Sequence, residues 1–490
     1  YTPLGAYVQI PFLVASFLVM KIVGLIQNVS DFEIFILTHE GYFLFIPRLI
    51  SAFFGTLTIL VIYKMTLELF KNKQTALIAA FLTAVSFNLV HISHFGRPWS
   101  ASLFFLVLAV YLALKDRRIF SPILVAFSYG FHQVGILVFP LIFINFTKKK
   151  SFSFFLGFVI SILMIIVFSL LTLRKGLIES IGNNQSFLLK DKFLADLLTG
   201  SDNLWGSFVR TLHENLSLYF LASFVTTDGI ILFFGLVGMF LYLLKKRTHK
   251  EIVFYIILYF LFASLFFHPL LRYLLPIILL LIPFAAFAIN LLFGRWKLVF
   301  ILLLFLASTN SVWWNYLYLK TPTFIQARNW VNQNISPDIP IAYIGGRYQT
   351  FVPNKNAIIQ VQNVNRNYFK TLLPIIGDQD SDNIRNIIYA SNFEGKNKME
   401  QLRNATRDYP VEYVVDVYFD PDESIYRQNP EVFKTSAHFA PKNGARILYP
   451  PDPLFDPRLS FQFPKSLIKF SMYSLERTGP YIDILEIKEP

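Results

Sequence analysis

His268-Pro269-Leu270-Leu271-Arg272-Tyr273-Leu274-Leu275-Pro276 sets an imidazole and a permanent cation at the mouth of an apolar run that continues to Asn290. A run of that length can span a bilayer. Arginine at its edge is costly unless it snorkels to the interface, lines a wet cavity or meets an anion. The rest of the chain supplies the means of choosing among the three.

Working outward, the apolar character never stops for long. The chain has 490 residues, 54% hydrophobic and 15% charged, with a mean hydropathy of +0.51. A water-soluble domain carries about 25% charge, so the composition predicts a polytopic α-helical membrane protein. The 54 Phe and 24 Tyr suit lipid-facing and interfacial surfaces. There is no Cys, which excludes disulfides and thiolate chemistry.

The net charge of +13 is unevenly placed. After residue 320 there are 19 basic and 19 acidic residues, which leaves 25 basic against 12 acidic in the preceding part. A basic excess between apolar spans reports membrane orientation, and no nucleic-acid partner is expected. Apolar runs occupy 44–70, 76–92, 101–114, 152–173, 230–244, 252–267, 271–292 and 298–314. Short basic connections follow at Lys71/Lys73, at Lys115/Arg117/Arg118, at 148–150, at Lys245/Lys246/Arg247/Lys250 and at Arg295/Lys297. If all five face the cytoplasm, an even number of spans separates each pair. The 119–146 stretch must then contain two, and it is predicted as a tight hairpin turning near Gly130 and His132. Broken helices of this kind are tolerated where protein or a wet cavity surrounds them.

The opposite, extracytoplasmic side receives His91, His94 and Arg97, the His132 turn, a loop over 174–228 containing His213, the His268–Arg272 entry, and everything after Trp314. Residues 1–43 are expected to form an external loop and an interfacial helix, because Lys21 would sit deep in lipid if 4–27 crossed. The domain division is therefore 1–43, then a multi-span domain over 44–317, then an extracytoplasmic soluble α/β domain over 318–490. In that last part a helix is predicted over 325–334 and strands over 340–344, 357–361, 386–390, 411–418 and 481–487. Gly345-Gly346-Arg347 reads as a plain turn, and the prolines over 450–457 mark a loop.

Arg272 offers a fork of N–H donors suited to phosphate. Arg97, with His94 beside it, stands at another span mouth on the same side, and Arg48 opens the first long span. His132 and Tyr273 are expected near this face, Tyr273 equally as an aromatic-belt residue. His91 and His94 are three apart, but no carboxylate follows at ligand spacing, so no metal and no other cofactor is predicted. A divalent ion is unsupported by the sequence. The external carboxylates Asp31, Glu33, Glu40, Glu179, Asp191, Asp196, Asp202, Glu214 and Asp228 show no pairing that nominates a general base.

Several motifs occur in an order that resembles a known group. Thr2-Pro3-Leu4-Gly5-Ala6-Tyr7 and Pro47-Arg48-Leu49-Ile50-Ser51-Ala52-Phe53-Phe54-Gly55-Thr56 come first. His94-Phe95-Gly96-Arg97-Pro98, the tight hairpin, Leu271-Arg272-Tyr273-Leu274-Leu275-Pro276 and Ala327-Arg328-Asn329-Trp330-Val331 follow. Together they resemble the GT-C glycosyltransferases that use polyprenyl-phosphate sugars. The narrower likeness is to the protein mannosyltransferase and aminoarabinose transferase group (glycosyltransferase family 39-like). The resemblance implies a membrane-embedded hexosyl- or pentosyltransferase moving a sugar from the lipid carrier to a glycan, lipid or protein acceptor outside the inner (plasma) membrane, in the service of the cell envelope. Arg272, Arg97 and Arg48 would contact the carrier phosphate, with His94, His132, His268 and Tyr273 around it. The group's catalytic acid lies just upstream of the interfacial helix, so it is expected before Tyr1 and the chain reads as N-terminally incomplete. Two departures stand out. Thr2 replaces a common Lys, and Trp99-Ser100 replaces the acidic residue that often follows Arg-Pro. The competing class is a transporter or flippase for an anionic polyprenyl-phosphate lipid. That class calls for internal repeats and mid-span charges, and the sequence shows neither.

Overall fold

The structure is a computed structural model that describes residues 4–117, 119–147, 152–180, 222–245, 249–266, 271–344, 352–353, 384–389, 398–406, 410–418, 424–440, 476–477 and 480–488. It divides into two compact units. The described residues of 4–14 and 44–314 belong to the first, and those of 15–43 and from 315 onward belong mainly to the second.

The N-terminal part comprises α1 (Leu4–Tyr7), α2 (Ile10–Ile22) and α3 (Val29–Thr38). Asn28 caps α3 through its side chain, accepting from Asp31 N while Asp31 accepts from the Asn28 N–H. Residues Leu4–Ile22, which the sequence places along the interface, are long and apolar enough to cross a bilayer.

The first unit is helical. It contains α4 (Glu40–Phe70), α5 (Lys73–Val85), α6 (Phe87–His94), α7 (Trp99–Leu114), α8 (Phe120–Phe131), α9 (Phe139–Thr147) and α10 (Phe152–Ser180). It continues with α11 (Ala222–Lys245), α12 (Lys250–Phe266), α13 (Leu275–Phe293) and α14 (Lys297–Tyr318). Among the described residues six helices are long and apolar enough to cross a membrane, and the bent α5–α6 pair makes a seventh if counted as one span. The protein is therefore polytopic. Helix α13 is apolar on every side and is buried without interruption from Leu275 to Ala286. Such a helix belongs at the centre of a bundle. Here α5 and α11 lie against it, Asn290 Nδ2 donating to Thr75 Oγ1 at 2.9 Å.

The 119–146 stretch reverses. Helix α8 ends at Phe131, His132 is extended (φ −156, ψ 138), and a 3-10 helix over Gln133–Val138 follows. A Cβ on Gly135 would lie 2.3–2.6 Å from Ser128 and Tyr129, so the returning chain presses against the last turn of α8. Glycine at that point is what permits the reversal. Ser102 and Ser128 lock the hairpin to α7 by exchanging hydroxyl-to-carbonyl bonds of 2.9 and 2.7 Å.

The C-terminal domain begins with α15 (Thr323–Asn334) and carries a five-stranded mixed sheet. Its strands are β1 (Ile341–Ile344), β4 (Ile387–Tyr389), β5 (Tyr413–Tyr418), β6 (Phe433–Phe439) and β7 (Tyr481–Ile487), in the order β4-β1-β5-β7-β6. Short strands β2 (Val352–Pro353) and β3 (Ile384–Arg385) pair separately. The alternation of β1 decides the layering. Ile341 and Tyr343 pack with Ala327 and Val331 of α15, whereas Ala342 and Ile344 pack with Leu402 of α16 (Lys398–Thr406) and with Ile425 of α17 (Ile425–Gln428). Four predicted strands occupy the places expected of them. The 357–361 strand, the Gly345–Arg347 turn and the 450–457 loop lie outside the described residues. Strand β6 escaped the sequence reading.

On the α16 face, Asp416, Asp483 and His438 stand opposite one another across β5, β7 and β6. Lys398 Nζ donates to Asp416 Oδ1 at 2.7 Å and to Val417 O at 3.0 Å, and Ile425 N donates to Asp416 Oδ2 at 2.8 Å. Asp483 accepts from the Tyr418 and Ser424 hydroxyls at 2.8 and 3.1 Å. Burial pushes the Asp416 carboxyl up, with Lys398 acting in the opposite sense. Burial and then the Asp483 charge push the Tyr418 phenol up.

Candidate functional site

The geometry of the site starts at two helix breaks that meet. Helix α6 begins at Phe87 after a 50° bend from α5, and its first turn receives no cap from the Ser86 side chain. Its amides find a carboxylate from elsewhere in the chain. Asp228, at a break within α11 (φ −126, ψ 38), accepts from Phe87 N at 2.8 Å and Asn88 N at 3.1 Å. It also accepts from Ser86 Oγ at 2.8 Å and Asn88 Nδ2 at 2.7 Å. A carboxylate at a helix N-terminus satisfies orphan donors and complements the helix dipole. The knot continues through Asn88 Nδ2 to Thr227 Oγ1, Asn310 Nδ2 to Thr227 O, and Ser311 Oγ to Val85 O. Asp228 thus has structural partners in three consecutive residues, Ser86, Phe87 and Asn88, at the start of α6.

The other end of α6 is held by an indole. Trp314 Nε1 donates to His91 Nδ1 at 2.7 Å, and the fully buried imidazole also stacks on Phe87. Indole N–H only donates, so Nδ1 must be the accepting nitrogen. His94, one turn on, is exposed. The two histidines therefore do not converge, and among the described residues no three His, Cys, Asp or Glu gather as metal ligands.

With α6 fixed at both ends, the 95–98 loop is presented to α4. The Ser51 hydroxyl donates to the Arg97 carbonyl at 2.8 Å. A Cβ on Gly96 would come within 2.8 Å of Pro47 and 3.5 Å of Arg48 N, so only glycine allows this approach. Arg48 and Arg97 are the chain neighbours of the two residues in contact, and both are exposed. A Cβ on Gly5 would meet Pro98 at 2.7 Å, which brings α1 to the same place. A small cleft there is lined by Gly5, Gln9, Pro47, Arg97, Pro98 and Phe131.

Trp99, immediately after Pro98, joins two further candidates. Its ring stacks on His132 (centroids 3.6 Å apart, 29°) and meets Tyr273 edge to face (6.0 Å, 67°). His132 Nδ1 accepts from Val134 N at 3.2 Å, and the Tyr259 hydroxyl donates to the Tyr273 carbonyl at 2.8 Å. The backbone of Arg272 lies beside Tyr273 in a 3-10 turn over Leu271–Leu274. The Arg272 side chain and all of His268 lie outside the described residues. The candidates thus form two groups, Arg48 with Arg97 and His132 with Tyr273, linked through Pro98 and Trp99. Trp99 was legible only as a departure from a motif, and nothing in the sequence announced its partners.

Residues 37–122 match the family model described as Dolichyl-phosphate-mannose-protein mannosyltransferase. That segment holds Arg48, His94, Arg97 and Trp99, and agrees with the resemblance seen in the motifs. No curated protein matches the chain. Among solved structures, ArnT from Cupriavidus metallidurans bound to undecaprenyl phosphate aligns at 12% identity and TM-score 0.44, covering 80% of this chain and 82% of that one. The same protein in the apo state gives 11% and 0.38, with coverages of 80% and 81%. The apo oligosaccharyltransferase of Archaeoglobus fulgidus gives 15% and 0.39 over 76% of this chain. The chain covers 58% of the length of that oligosaccharyltransferase.

Proposed function

We propose that the chain is an integral-membrane glycosyltransferase that takes a sugar from a polyprenyl-phosphate carrier and passes it to an acceptor on the extracytoplasmic side. The observation that carries this reading is the Gly96–Pro47 contact, which brings the backbone at Arg48 and Arg97 together inside the segment that matches the mannosyltransferase family model. Two exposed guanidinium groups at span mouths are suited to hold a phosphate. In the transfer, an acceptor hydroxyl would give its proton to a general base that none of these residues supplies, and its oxygen would bond to the anomeric carbon while the carbon–oxygen bond to the carrier phosphate breaks. The leaving phosphate gains one negative charge, and fixed cations placed there stabilise that change more than they stabilise the bound donor. Arg272 joins this role by its position next to Tyr273. These residues bind and offset charge, and none of them is assigned the proton transfer.

The test is donor turnover. Membranes containing the full-length protein are incubated with polyprenyl phosphate carrying a labelled hexose or aminopentose, and release of bare carrier is followed. Arg97→Ala and Arg272→Ala are expected to lower turnover at least a hundredfold at unchanged protein level, whereas undiminished turnover in both would remove them from the site.

A further inference from the structure

A second cavity, of about 210 Å³, is bounded by α4, α5, α6 and α7. Its polar lining comes from Thr56, Thr58, Thr83, Ser93, Ser100 and His94. Four of these hydroxyl protons are already committed. Thr56 donates to Ala52 O, Thr58 to Phe54 O, Thr83 to Ala79 O and Ser93 to Leu89 O, at 2.7–2.9 Å. What remains on those four oxygens is accepting capacity, so an occupant must bring hydrogen-bond donors.

Ser100 differs from them. It is 2% exposed, lines the cavity, and its Oγ has no hydrogen-bond partner among the described residues. An orphaned buried hydroxyl costs the fold free energy, and each such group in a native structure calls for an explanation. The cavity has the volume of about seven waters, which is also room for one six-membered sugar ring. It lies near the bent junction of α5 and α6. Thirteen residues of α5 put that junction about 20 Å from Lys73, which the charge pattern places at the cytoplasmic face, and therefore in the outer part of the bilayer. Ala52 of its wall follows Ser51, whose hydroxyl holds the Arg97 backbone.

We propose that this cavity receives the glycosyl group of the donor, and that Ser100 is a specificity-determining contact to one of its hydroxyls. The inference rests on the function proposed above: with the carrier phosphate at Arg97, the attached sugar reaches into the hydroxyl-lined space. A polyol supplies several O–H donors to the four accepting oxygens, and Ser100 gains the partner it otherwise lacks. His94 closes the rim.

The experiment compares binding of labelled polyprenyl-phosphate hexose with binding of bare polyprenyl phosphate to the purified protein in nanodiscs, together with its thermal stability. Ser100→Ala removes a hydroxyl that contributes nothing to the fold, so the melting temperature should hold or rise. Affinity for the glycosylated carrier should fall roughly fivefold to tenfold, and affinity for the bare carrier should not change. Thr83→Val, which keeps the shape of the opposite wall, should show the same selective loss. An equal loss for both carriers, or no loss in either variant, overturns the sugar cavity while leaving the phosphate reading intact. Failure of the wild-type protein to bind even the bare carrier refutes the proposed function itself.

Discussion

Replacing Asp228 by alanine probes the contact on which the site geometry depends. The carboxylate accepts from two backbone amides at the start of α6, from the Asn88 side chain and from the Ser86 hydroxyl. Losing a helix cap costs about 1 kcal/mol. A buried amide such as that of Asn88, left without its charged acceptor, adds about 1–3 kcal/mol. Ser86 can rotate toward a carbonyl and adds little. The two losses together come to about 2–4 kcal/mol, and the desolvation recovered by removing a buried charge brings the net loss to about 1–3 kcal/mol. Asp228→Asn retains one accepting oxygen for an α6 amide and should lose roughly half as much. Equilibrium unfolding in mixed micelles, titrated with a denaturing detergent, measures both. A double-mutant cycle with Asn88→Ala should give a coupling of about 0.5–3 kcal/mol. Stability of Asp228→Ala within about 0.5 kcal/mol of wild type would refute the role assigned to this contact.

Three other outcomes follow from the second unit and the charge pattern. Lys398→Ala leaves Asp416 buried without its cation and should destabilise the C-terminal domain by about 3–5 kcal/mol, read as faster amide exchange in β5 and β7; unchanged exchange would contradict it. The Tyr418 phenol keeps its proton in the folded state beyond the ordinary value of 10.0. The unfolded chain therefore binds fewer protons above pH 10, and stability falls as pH rises past that value. Tyr418→Phe should remove that component of the pH slope, and an identical slope in wild type and variant would count against it. Because the chain has no Cys, a single cysteine placed at Ser391 should react from outside intact cells with an impermeant thiol reagent, and protection there would reverse the orientation.

The parts of the fold that were legible share a physical cause. Spans announce themselves because lipid demands unbroken apolar runs. Counting basic connections was enough to require a reversal near His132, and the chain reverses there. Strands β1, β4, β5 and β7 are apolar enough to be read, whereas β6 (FKTSAHF) is an edge strand with Lys434 and His438 exposed and alternates too weakly. The Asp228 knot was invisible for a different reason. Its bonds to Ser86, Phe87 and Asn88 connect positions 140–142 residues apart, and no local pattern encodes such a pairing. Arg97 and Arg48 could be singled out as cations at span mouths. That Gly96 and Pro47 bring them to one contact depended on packing.

The central claim is that this face holds a lipid phosphate. It is tested most directly by titrating the purified protein in nanodiscs with bare polyprenyl phosphate, using the uncharged polyprenol of the same length as control. Saturable binding of the phosphate, weak binding of the alcohol, and loss of the difference in Arg97→Ala with Arg48→Ala are predicted. Equal binding of phosphate and alcohol by the wild-type protein would contradict the account.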